Sequence, residues 1–155
     1  LDPARKGEPL LYYHRRGPLG EVYEKLGRAW KDIGVVGLGV GVVAAYGRPG
    51  QRLDFYELDP DVIKIAHKDF SFLRDTKAAV RVVPGDARRS LVDEPPERVY
   101  DALLLDAFSS GAIPVHLLTR EALELYLRHL APKGVLSFQI TNRFLDLKPV
   151  LSGLG

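Results

Sequence analysis

Three glycines at alternate positions, Gly37, Gly39 and Gly41, follow directly on the apolar run Ile33 to Val36. A carboxylate, Glu57, comes about twenty residues after the first of them, the usual distance for an acid that grips ribose hydroxyls. Glycine lets a backbone turn sharply and come close to a ligand where any Cβ would collide. Val42 to Tyr46 reads as a short helix behind the bend, and a helix start presents free N–H groups and a positive dipole end. This arrangement predicts a nucleoside-cofactor site. A dinucleotide fingerprint, G-x-G-x-x-G, would place its third glycine where Val42 stands, whereas here it falls one residue earlier. The shorter spacing suits a ligand without a pyrophosphate, such as an S-adenosyl sulfonium compound.

The elements that hold these residues alternate between strand and helix. After an aperiodic arm, Leu19 to Leu26 forms a brief amphipathic helix, and residues 1–30 are expected to be an arm plus this helix. Residues 31–155 are expected to be one nucleoside-binding domain. Its strands are read as Ile33 to Val36, Leu53 to Leu58, Val80 to Val83, Tyr100 to Leu105 and Val135 to Ile140. Asp59 with Pro60 starts a helix that turns Val62, Ile63, Ile65 and Ala66 inward. Arg88 and Arg89 open a solvated helical turn, and Thr119 caps the helix Arg120 to Leu130, with Ala122, Leu123, Tyr126 and Leu130 on one face. A last helix is read from Asp146 to Leu154. The fold class is α/β, a Rossmann-like doubly wound parallel sheet of order 3-2-1-4-5. In such sheets ligands bind beyond the carboxyl ends of the strands, where Gly37, Glu57, Asp86, Asp106 and Thr141 all fall.

Composition bounds the function. The 155 residues suffice for one domain with a real core. A net charge of +2 is too small to argue for nucleic acid or an anionic membrane, and neither is expected as a partner. The absence of cysteine excludes disulfides and thiolate metal sites, and no cluster has metal-ligand spacing, so no metal is expected. No run approaches the ~18 apolar residues of a membrane span. The chain has no Met and begins at Leu1, so it is expected to be a fragment of a longer protein. Three histidines, His67, His129 and His116, carry little signal. The first two are read as surface residues and the third as lacking a partner.

The segments VVGLGVG, YELDP, GDARRSL, YDALLLDAFSSGAIPVHLLTREAL and LAPKGVLSFQITNR resemble the spermidine synthase-like (polyamine aminopropyltransferase) branch of the Rossmann-like methyltransferase superfamily. The resemblance covers the chain roughly from Tyr12 onward. It implies a cytoplasmic transferase using decarboxylated S-adenosylmethionine or S-adenosylmethionine, a small-molecule acceptor, and two further strands past residue 155. Homo-oligomerisation is left open. Carried over by position, Gly37, Gly39 and Gly41 would line the methionine-like part of the cofactor, Glu57 would hold its ribose, and Asp86 with Ala87 would meet the adenine amine. Asp106 would face the sulfonium and the incoming nucleophile, and Tyr13 and His14 would help close the substrate side. Two departures concern amine recognition. Val40 stands where the family has an acid inside the glycine loop, and Ser109 stands where it has a second acid thought to help deprotonate the amine. Serine can orient an amine but is a poor base at neutral pH. Methyl transfer, or nucleoside binding without turnover, are the alternative readings.

Overall fold

The computed structural model describes residues 7–108, 113–139 and 153. Five strands, β1 (Asp32–Val36), β2 (Arg52–Glu57), β3 (Ala79–Pro84), β4 (Tyr100–Leu105) and β5 (Leu130–Phe138), form one sheet in the order β3-β2-β1-β4-β5. Every neighbouring pair is parallel. The helices are α1 (Pro18–Lys25), α2 (Pro60–Asp69), α3 (Phe72–Asp75), α4 (Ala87–Asp93) and α5 (Arg120–Arg128). This is the Rossmann-like doubly wound architecture that the alternation of strand and helix predicts.

The central strands read as unbroken apolar runs because both faces are covered. Side chains alternate between two cores along each strand. Ile33, Val35, Leu53, Phe55 and Leu104 pack on one side with Tyr23 and Trp30. Val36, Tyr56, Leu103 and Leu105 pack on the other with Leu91 and Tyr126. The caps form as their residue types dictate. Asp59 accepts the Asp61 N–H at 2.8 Å with Pro60 in the first turn of α2, and Thr119 accepts the Ala122 N–H at 3.2 Å.

Several local details differ from the sequence reading. Val42–Tyr46 is a 3-10 turn rather than an α-helix. It is closed at Gly47, whose extended backbone passes so near Thr76 that a Cβ there would stand 2.2 Å from the hydroxyl. Ile65 is exposed on α2, because Ala66 with Val62 and Ile63 defines a narrow buried stripe. On α5 the buried residues are Ala122, Leu125 and Tyr126, with Leu123 half-buried and the helix ending at Arg128. Strand β5 begins five residues earlier than expected. Its Pro132-Lys133-Gly134 turn survives as a bulge, with Tyr100 opposite Leu130 and Ala102 already opposite Val135. Lys133 takes φ 68 there, as an unpaired bulge residue can. His129 is buried, with Nδ1 2.8 Å from the Arg98 carbonyl at the α5–β5 corner. Ile140, Thr141 and residues 146–152 and 154 lie outside the described residues.

A buried polar cluster was not foreseen. Asp54, fully buried in mid-β2, accepts from Arg81 at 2.8 Å and from the Tyr100 hydroxyl at 3.0 Å. Glu94, after α4, accepts from Arg81 and Tyr56 and lies 3.6 Å from Arg98. Each buried carboxylate thus has cationic and phenolic partners, the condition for burying charge at tolerable cost.

Candidate active site at the carboxyl edge of the sheet

The Glu57 carboxylate turns toward the glycine bend. Its Oε2 accepts the Leu38 N–H at 2.8 Å, and its Oε1 accepts the Asp59 N–H at 2.9 Å. The bend itself is anchored on both neighbouring strands, since Gly37 N–H donates to the Tyr56 carbonyl and Asp106 N–H donates to that of Val36, both at 2.8 Å. All three glycines have positive φ, at 96°, 54° and 78°. They differ in what surrounds them. A Cβ on Gly37 would lie 2.6 Å from the Asp106 carbonyl oxygen, so this glycine lets β1 and β4 close on each other. One on Gly41 would press Leu73 at 2.9 Å, whereas one on Gly39 would meet nothing within 4 Å. Gly39 therefore offers the bare, outward-facing backbone that a ligand can approach, and it lies one residue past the Leu38 amide that Glu57 holds.

Asp106 lies just past β4. Its Oδ2 accepts the Tyr13 hydroxyl at 2.6 Å, while Oδ1 is buried without a hydrogen-bond partner. Burial pushes its carboxyl up to about 6, and the Tyr13 bond works against that rise. Tyr13 is in turn driven well above the ordinary phenol range by burial and by the Asp106 charge. The Tyr13 carbonyl accepts the Tyr46 hydroxyl, which fixes the arm to the 3-10 turn after the glycines. Between Tyr13, Leu19, Val22, Val43 and Phe138 lies a pocket of about 180 Å³ that Asp106 also lines. His14 turns elsewhere, accepting the Arg16 N–H at Nδ1. Ser109 lies outside the described residues.

Asp86 caps α4, its Oδ1 accepting the Arg89 N–H at 3.0 Å, and buried Ala87 opens that helix. Its Oδ2 lies 2.9 Å from Nε2 of His116, so His116 does have a partner. Arg88 is not simply solvated either. It donates to the His116 carbonyl at 3.1 Å and reaches Thr119 Oγ1 at 3.4 Å. Both contacts join residues about thirty apart in sequence, which is why no local pattern announces them.

No family model matches the chain. It is 39% identical over 114 residues to a polyamine aminopropyltransferase from Vibrio vulnificus (strain CMCP6), across 71% of this chain and 36% of that protein. Among solved structures, human methyltransferase-like protein 13 in complex with SAH matches with a TM-score of 0.64 and 27% identity, over 86% of this chain and 64% of that one. Spermidine synthase from Thermotoga maritima matches with a TM-score of 0.62 and 19% identity, over 81% of this chain and 45% of that one. The chain thus has the Rossmann-like methyltransferase fold and resembles its spermidine synthase-like branch. It spans about a third of the length of that aminopropyltransferase.

Proposed function

We propose that this chain is the donor-binding part of a transferase that moves an aminopropyl group from decarboxylated S-adenosylmethionine to an amine. The observation that carries the reading is the convergence of the Glu57-held bend with Asp106 at neighbouring strand ends. The open face at Gly39 fits a close-lying ligand, and Glu57 is placed beside it for the ribose hydroxyls. Asp86, farther along the edge at the end of β3, is read as the acceptor for the base.

When bound, such a donor supplies a carbon activated by its sulfonium, which an acceptor nitrogen attacks as the carbon–sulfur electron pair returns to sulfur. The residues of this chain position the reactants and manage charge. Asp106, ionised at neutral pH with a carboxyl near 6, is suited to take the proton that the nitrogen sheds. Tyr13 holds that carboxylate in place. His14, whose Nδ1 accepts the Arg16 N–H, makes no contact with Asp106 and has the weaker claim to a catalytic part. A second reading, methyl transfer from S-adenosylmethionine, is favoured by the SAH-bound neighbour and by Val40 and Ser109, which stand where the resembled family has an amine-recognising acid and an amine-deprotonating one.

Incubation with each donor and a panel of amines, followed by mass spectrometry, separates the two. Consumption of the decarboxylated donor supports aminopropyl transfer, consumption of S-adenosylmethionine supports methyl transfer, and consumption of neither sinks both.

A further inference from the structure

Resting on the reading of Asp86 as the acceptor for the base, we propose that His116 is a positioning residue of the nucleoside site. Its imidazole fixes the Asp86 carboxylate and, with the Arg88 contact, clamps the Val115–Leu117 turn before α5 to the β3–α4 corner.

The clamp is made from both sides. From the β3–α4 corner, Asp86 Oδ2 meets His116 Nε2 at 2.9 Å, and Arg88 donates to the His116 carbonyl. From α5, the Tyr126 hydroxyl donates to the next carbonyl, that of Leu117, at 3.1 Å. With Arg89 N–H on Oδ1 and His116 on Oδ2, the carboxylate is held at both oxygens. A backbone contact from Arg88 adds to these, and of the roughly four lone-pair sites of a carboxylate one remains for an incoming amino group, so the clamp orients the acceptor without using it up. An acceptor and a loop already ordered lose less freedom when a ligand binds, and that raises affinity.

Charge gives the clamp a direction. The charged groups around it are Asp86, Arg88 and Arg89 at the α4 corner, and Arg120 and Glu121 at the start of α5, with the Tyr126 phenol beneath. Burial works to raise the Asp86 carboxyl. The Arg89 N–H and the His116 contact outweigh it and hold the carboxyl below its usual range. Asp86 is thereby favoured as the ionised acceptor.

The test is calorimetric titration of methylthioadenosine, a neutral probe. The His116→Ala variant is expected to bind about twofold to tenfold more weakly than the wild type, the range for one lost hydrogen bond. The His116→Gln variant, whose amide can still donate to Asp86, is expected to recover the affinity. Since His116 is half-exposed, melting temperatures should match across the three proteins. Binding indifferent to position 116, or a loss in His116→Ala that His116→Gln does not restore, overturns this inference alone. A wild-type chain that takes no methylthioadenosine overturns the nucleoside reading as well.

Discussion

The hydroxyl of Tyr13 lies 2.6 Å from Oδ2 of Asp106, across 93 positions of sequence. One partner belongs to the arm that precedes the sheet and the other to the end of its fourth strand. The bond makes the arm part of the candidate site, and it favours the charged form of a carboxylate that burial disfavours.

Replacing Tyr13 with Phe removes that support, so the Asp106 carboxyl should rise above about 6. If Asp106 acts as the base, the acid limb of the kcat/KM profile moves to higher pH by up to about one unit, from the net value of one hydrogen bond. A pH–rate series on the variant checks this, and an unmoved limb would remove Asp106 from the role of base.

The same carboxyl makes a prediction about stability. Its folded value, about 6, exceeds the unfolded value near 3.9, so the folded state binds more protons. Its unfavourable contribution is absent at pH ~3 and complete above pH ~6. Asp106→Asn should therefore raise the melting temperature at neutral pH, by an amount equivalent to about 2–3 kcal/mol, and gain little in acid. Paired thermal melts at the two pH values read this directly, with transfer activity lost in both.

Glu57→Gln keeps an acceptor for the Leu38 amide but loses the charge. Affinity for methylthioadenosine should fall on the order of tenfold to a hundredfold, the worth of a charge-assisted hydrogen bond to ribose. Titration calorimetry on the variant decides it, and unchanged affinity would place the ribose elsewhere.

Two alanine substitutions should separate packing from binding within the bend. Gly37→Ala drives a Cβ to 2.6 Å from backbone oxygen and should abolish folding or lower the melting temperature severely. Gly39→Ala meets no atom and should cost only about 1–2 kcal/mol for its left-handed backbone, while still obstructing the ligand. Circular dichroism melts beside nucleoside titrations would show the split. Equal destabilisation of the two would refute it.

Asp54→Ala should destabilise by about 1–3 kcal/mol, because Arg81 and the Tyr100 hydroxyl each lose their buried acceptor and are left to Glu94 and to the Tyr56 hydroxyl. Chemical denaturation measures this directly.

The legible parts of this molecule were those written in local pattern. Apolar runs gave the strands, Asp59-Pro60 and Thr119 gave helix starts, and the glycine spacing gave the bend with Glu57 beside it. The order of the strands followed because crossovers have one hand. What escaped depends on side chains meeting across the fold. The partners of Asp54, the clamp of His116 and Arg88, and the burial of His129 each join residues about thirty or more apart. Charged residue types also bias a reader toward the surface, which is how Asp54 in mid-strand passed without remark.

The brief 3-10 turn after β1 has an architectural consequence. It is too short to roof its side of the sheet, and Tyr23 of α1, stacked on Tyr46 at 4.7 Å and set edge-on to Trp30, completes the cover. Shortening the chain from its amino end past these aromatics would leave Ile33 and Val35 wet. Any minimal version of this protein must therefore keep α1, for the sake of the sheet as much as for Tyr13.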